Sequence, residues 1–144
     1  MPIKPENRAR YPADWPEISR AAKERAGWKC QHPGCLARQY SIGIWHRPEG
    51  VKDHQWAEQY KPADTYAEAR SIAAEAWWEV QHLGGDKLTI IVLTVAHLNH
   101  QPEDCRPENL AAMCQRHHLA YDHDHHRANA QATRRAKAGT LELF

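Results

Sequence analysis

The chain has 144 residues, enough for one domain with extensions, and is 42% hydrophobic with a single Phe, six Trp and eleven His. Charge nearly cancels, 19 Lys+Arg against 18 Asp+Glu, which excludes a polybasic nucleic-acid arm over the whole length but leaves room for a local basic face. The longest apolar stretch, Leu88 to Leu98, falls short of the roughly 20 residues a membrane span needs. The opening MPIKPENRARYP lacks the apolar core of a secretory signal, so a cytoplasmic protein is expected. In a reducing compartment Cys30, Cys35, Cys105 and Cys114 point to metal binding before disulfides.

Residues 1–13 are polar, Pro-rich and basic and read as an extended arm. Asp14-Trp15-Pro16-Glu17 predicts a helix start: Asp14 can accept from the first N–H groups, Pro16 has none to lose, and Glu17 occupies the capping-box position. That helix is expected to run to about Ala26 and stop at Gly27. Arg20, Lys23, Arg25 and Lys29 make it a basic element.

Cys30 and Cys35 follow, separated by a Pro33-Gly34 turn. Within the segment 36–86, residues 36–63 read as irregular and rich in Trp, Tyr, Pro and Gly. Trp45, Trp56, Tyr40 and Tyr60 fall there and are expected to pack. Thr65 and Glu68 form a second capping box, opening a helix whose apolar face holds Ala69, Ala73, Ala76, Trp77 and Val80, with Trp78 off that face and Gly84-Gly85 at its end. Residues 87–98 predict one strand, 99–109 a polar loop, and Leu110 to Met113 a short returning strand. From Cys114 a helix of about twenty residues is expected, ending in a basic tail over 127–144 with Arg134, Arg135 and Lys137.

Cys114 and His117 lie three apart at a helix start and share a face, so with Cys30 and Cys35 they make a Cys₃His set suited to a closed tetrahedral zinc site. His32, between the first two Cys, is a rival to His117, and Cys105 reads as a free thiol. His118 is turned about 100° from His117 and must face elsewhere. Asp122, one turn on, shares its face, and the two could hold a second metal. His123, His125 and His126 read as a solvated polar face. His97 ends an apolar strand; Asn109 follows twelve residues on and would ordinarily be a turn residue.

The run TVAHLNHQPEDCRPENLAAMCQRHHLAYD resembles the core of the HNH endonucleases, and YPADWPEISRAAKERAGWKCQHPGC is similar to the N-terminal helix and first Cys pair of phage and bacterial members. The resemblance covers residues 11–35 and 94–126. It implies a single α+β domain with a small ββα-metal (His-Me finger) core over 87–126, a zinc knuckle, an N-terminal helix and an inserted helical segment. It also implies a metal-dependent DNA endonuclease that hydrolyses phosphodiester bonds. His97 would be the general base, Asn109 the brace of the loop, and His118, with Asp122, the ligand of a catalytic ion such as Mg or Mn. Cys30, Cys35, Cys114 and His117 match the structural zinc positions.

Two positions depart from the pattern. Ala96 stands where many members carry a metal ligand, and His117 replaces the usual fourth Cys. The alternative is a non-catalytic, zinc-stabilised nucleic-acid-binding or adaptor module. DNA is the expected partner, through Arg20, Lys23, Arg25, Lys29, Arg134, Arg135 and Lys137. A homodimer is expected if both strands of a symmetric site are cut, whereas a nickase needs one copy.

Overall fold

The computed structural model describes residues 3–82 and 87–142. It is a mixed α+β fold with two small antiparallel sheets. In chain order come a 3-10 helix Pro5–Arg10, α1 Trp15–Arg25, β1 Ile42–His46, β2 Gln55–Tyr60, α2 Tyr66–His82, β3 Thr89–Ile90, β4 Leu93–His97, a 3-10 turn Pro107–Asn109, β5 Leu110–Cys114 and α3 Gln115–Glu142. One sheet has the order β2-β1-β3, the other pairs β4 with β5. Among the described residues no helix is long and apolar enough to cross a membrane.

The N-terminal segment is not fully extended, because Pro5–Arg10 coils into a 3-10 helix. Arg10 then forks onto the Glu103 carboxylate, at 2.5 and 3.1 Å, and ties this segment to the loop after β4. At the start of α1 the Asp14 side chain makes no capping hydrogen bond; its backbone carbonyl accepts from Glu17 and Ile18, both at 3.1 Å. The helix ends as its sequence predicts. Gly27, at φ +66°, donates to the Glu24 carbonyl and Trp28 to that of Lys23, the paired bonds of a Schellman stop. The chain then turns into the Cys30–Cys35 knuckle, where Gly34 takes φ +79° and Cys35 N–H donates to the His32 carbonyl at 3.0 Å.

The segment expected to be irregular contains the β1–β2 hairpin instead. Its pairing is broken by a bulge between Ile42 and Gly43, which hides the simple alternation of a strand. Trp56 is 8% exposed and Trp45 packs beside it with ring centroids 5.2 Å apart, so these aromatics do cover the core. In α2 the Thr65 hydroxyl accepts from Glu68 N–H at 3.1 Å, and the Glu68 carboxylate reaches back to Asp64 N–H at 3.2 Å. Ala69 and Ala76 are buried, but Trp77, one residue around the helix from Ala76, is 50% exposed rather than core. The expectations for the Trp78 and Val80 side chains and for Gly84-Gly85 lie outside the described residues.

The single strand expected over 87–98 is two. β3 pairs with β1, β4 pairs with β5, and Ile91 and Val92 carry the chain between the sheets. The break has a cause. Val92 N–H donates to the Gln115 side-chain carbonyl at 3.0 Å and Leu93 N–H to that of Gln39 at 2.6 Å, so side chains take the donors a longer ladder would use. β5 follows its predicted span to within a residue and sets Leu110 opposite His97 and Cys114 opposite Leu93. α3 begins directly after β5 and is longer than expected, at 28 residues.

Two apolar clusters flank the β4–β5 pair. Ala22 of α1 meets Val95 and Leu110, with Trp15, Ile18 and Cys105 at their edge. Cys30, Ala37, Trp56, Ile91, Leu93, Ala96, Met113 and Cys114 form the larger cluster. Gly43 lets β2 approach closely: a Cβ built there lies 2.2 Å from the Ala57 carbonyl oxygen and 2.9 Å from the Trp56 ring. Gly43→Ala should therefore destabilise the protein by about 3 kcal/mol, as backbone overpacking does, measured as a lowered midpoint of urea unfolding.

Candidate metal centre and adjoining histidine site

Four donors meet at the junction of β5 and α3. Cys30 and Cys35 come from the knuckle, Cys114 ends β5, and His117 sits in the first turn of α3. Their donor atoms all lie within 4.8 Å of one another. His117 Nδ1 is 3.3 Å from Cys114 Sγ and 3.6 Å from Cys30 Sγ. Cys30 is 6% exposed and Cys114 fully buried. His32, the rival ligand, lies outside the group and instead stacks flat on His117, ring centroids 3.9 Å apart. Trp45 meets the same imidazole edge-on at 5.7 Å.

The protonation of the sulfurs tests whether a cation fits. Hydrogen bonds from Cys114 and Cys35 pull the Cys30 thiol far down, while its bonds to Cys30 and Cys35 push Cys114 far up. Adjacent buried negative charges repel, so the three sulfurs do not all shed their protons unless a cation offsets the charge. A divalent cation can take the place of those protons, and three sulfurs with one imidazole are a soft, four-donor set. These residues could hold a metal ion.

His118 points away from this group, as its position beside His117 requires. Its Nδ1 contacts the Thr94 hydroxyl and its Nε2 lies 3.0 Å from Asp122 Oδ2. Burial lowers the His118 pKa against the pull of Asp122. The other oxygen of Asp122 is 3.2 Å from His100 Nδ1, and His126 Nε2 is 4.0 Å from Oδ2. His100 takes a left-handed backbone, φ +59°, and its ring stacks on His125 at 4.3 Å. Among the described residues only the Cys and His group brings three or more donors within 4.8 Å of one another; His118 pairs with one oxygen of Asp122 and His100 with the other. Ala96 is fully buried in the larger apolar cluster.

His97 closes β4 at 8% exposure. Trp15 stacks on its ring at 4.9 Å and Tyr11 meets it edge-on at 5.7 Å. Its Nε2 is 3.6 Å from Cys105 Sγ. Burial lowers its pKa below the ordinary 6.5, against the nearby carboxylates of Asp104 and Glu103. The imidazole is therefore neutral at pH 7.

Asn109 does more than turn the chain. Its Oδ1 accepts from Asn99 N–H at 3.1 Å, and its Nδ2 donates to Asn99 Oδ1 at 2.9 Å and to the Asp104 carbonyl at 2.8 Å. Its own carbonyl accepts from Leu98 N–H at 2.8 Å. One buried side chain thus closes the 98–109 loop beside His97.

The basic residues lie on α1, just past it at Lys29, and on α3. Arg20 answers Glu24 at 3.5 Å, and burial lowers the pKa of the Lys23 ammonium. Arg25, Lys29, Arg134, Arg135 and Lys137 are exposed. The contacts that sequence reasoning missed are Thr94 at His118, and Tyr11, Trp15 and Cys105 around His97. No periodic signal marks Thr94, because β4 buries Val95, Ala96 and His97 in succession.

Protein purified without chelator should carry one tightly held metal ion per chain by elemental analysis. Cys114→Ser should lose it and unfold at lower temperature, and wild type should release it progressively as protons compete for the thiolates on acidification. A metal-free protein of equal stability contradicts the centre. No family model, no curated protein and no solved structure matches the chain.

Proposed function

We propose that this chain is a metal-dependent DNA endonuclease of the HNH type, in which β4, the 98–109 loop, β5 and the start of α3 act as a ββα-metal unit. The observation that carries the reading is the layout of three residues on three successive elements. His97 ends β4, Asn109 closes the loop that follows, and His118 opens α3 beside a carboxylate.

In this reading Cys30, Cys35, Cys114 and His117 hold a structural zinc that pins α3 to the knuckle. His118 and Asp122 would hold a magnesium or manganese ion, two donors on one helical face with water completing the shell. When bound, that ion supplies charge neutralisation at the scissile phosphate and stabilises the leaving oxygen. The neutral His97 imidazole accepts the proton of the attacking water. Asn109 keeps the loop, and with it the end of β4, in one conformation. Arg20 and Arg25 on α1, Lys29 just beyond it, and Arg134, Arg135 and Lys137 on α3 would meet DNA phosphates.

The second reading, a zinc-stabilised nucleic-acid-binding module without catalysis, is favoured by a specific observation. Trp15 and Tyr11 cover His97, and Ala96 offers no ligand.

Incubation of the pure protein with supercoiled plasmid and a series of divalent ions separates the two. Cleavage that EDTA abolishes supports the nuclease; retention of plasmid in gel shifts with no cut product under any ion supports the module. His97→Gln should lower the cleavage rate about 10²–10⁴-fold while the zinc content is retained. His118→Ala should raise the metal concentration needed. A base with a lowered pKa stays neutral further into acid, so the rate plateau should extend below pH 6.5, the ordinary imidazole value.

A further inference from the structure

Cys105 is not a zinc ligand, and it is not an idle thiol either. It sits in the loop closed by Asn109, at the edge of the cluster of Ala22, Val95 and Leu110. Its sulfur has two neighbours with different hydrogen-bonding needs. The Pro102 carbonyl oxygen lies 3.3 Å away and can only accept. His97 Nε2 lies 3.6 Å away and can donate or accept, depending on its tautomer.

A thiol has one proton. Burial raises the Cys105 pKa, with Asp104 adding to the effect, so that proton stays on sulfur at neutral pH. The carbonyl can take only that proton, and the geometry is that of a thiol donating to it. Sulfur then faces His97 with a lone pair, and the complementary partner is an Nε2–H. A neutral imidazole has one N–H, so Nδ1 is left unprotonated. Among the described residues Nδ1 makes no hydrogen bond to protein, whereas Trp15 stacks on the ring and Tyr11 packs against it at a steep angle.

We propose that Cys105 is a positioning residue: its sulfur accepts from His97 Nε2–H, sets the tautomer of the imidazole and presents Nδ1 as the basic nitrogen. The role in catalysis rests on the nuclease reading above; the tautomer does not. It follows the general rule that the nitrogen left basic in a His is decided by the bond the other nitrogen makes.

The test has two arms. In ¹⁵N-labelled, zinc-loaded protein, long-range proton–nitrogen correlation at neutral pH reads which ring nitrogen carries the proton, with the His97 signals assigned by their loss in His97→Gln. Nε2 protonated and Nδ1 bare is the expected result. Cys105→Ala should move the Nε2 signal and admit the other tautomer, and Cys105→Ser, with the same one donor and one acceptor, should restore the wild-type pattern. A protonated Nδ1 in wild type, or His97 signals unchanged in Cys105→Ala, overturns the proposal. In plasmid cleavage, Cys105→Ala should lower kcat about tenfold with little change in KM, and Cys105→Ser should recover most of it. An unchanged kcat in Cys105→Ala overturns the catalytic part. If wild type cuts no DNA under any divalent ion, the nuclease reading fails, and the nitrogen spectra still decide what Cys105 does to His97.

Discussion

A two-stranded sheet is marginal by itself, and β4–β5 has two faces to cover. Helix α1 brings Ala22 and Ile18 to Val95 and Leu110 on one side. On the other, Cys30 and Cys114 are themselves members of the apolar cluster that includes Leu93 and Met113. The sulfur group is therefore part of the core and not an appendage to it. A cation held by these atoms would link knuckle, strand end and helix start. The four residues meet where α3 begins, and they bring the helix start, the end of β5 and the knuckle together.

The start of α3 couples the two sites. His117 and His118 are consecutive, and helix geometry turns them about 100° apart. With His117 directed into the sulfurs, His118 is directed to Thr94 and Asp122. Neither imidazole can be moved without moving the other, so a structural metal at the first would act as the alignment device for the second.

His97 is held by a different mechanism. Rings from the N-terminal segment and α1 cover it, and the Arg10–Glu103 pair ties that segment to the loop beyond β4. Burial lowers the imidazole pKa and also restricts what can approach the ring. The 98–109 loop supplies the polar contacts: Asn109 satisfies Asn99 and Asp104, and Cys105 meets the ring nitrogen.

What the sequence determined by itself is local. Gly27 ends α1 because few other residues accept that backbone, and Thr65 and Glu68 cap α2 because their spacing reaches the first N–H groups. The three-residue spacing of Cys114 and His117 places both on one side of a helix, and the four-residue spacing of His118 and Asp122 does the same for the other pair. Tertiary structure decided the rest. The sheet changes between Ile90 and Leu93 because Gln39 and Gln115, distant in sequence, take the N–H groups there. The β1–β2 hairpin was obscured by a bulge at Gly43, and Trp77 points outward because Ala76, its neighbour, faces in. His32 lost to His117 as the fourth donor because its ring lies stacked on that of His117. Cys105 reads as a spare thiol in one dimension. Only the closure of its loop by Asn109 brings it to His97, and a contact made by loop closure leaves no periodic trace in the chain.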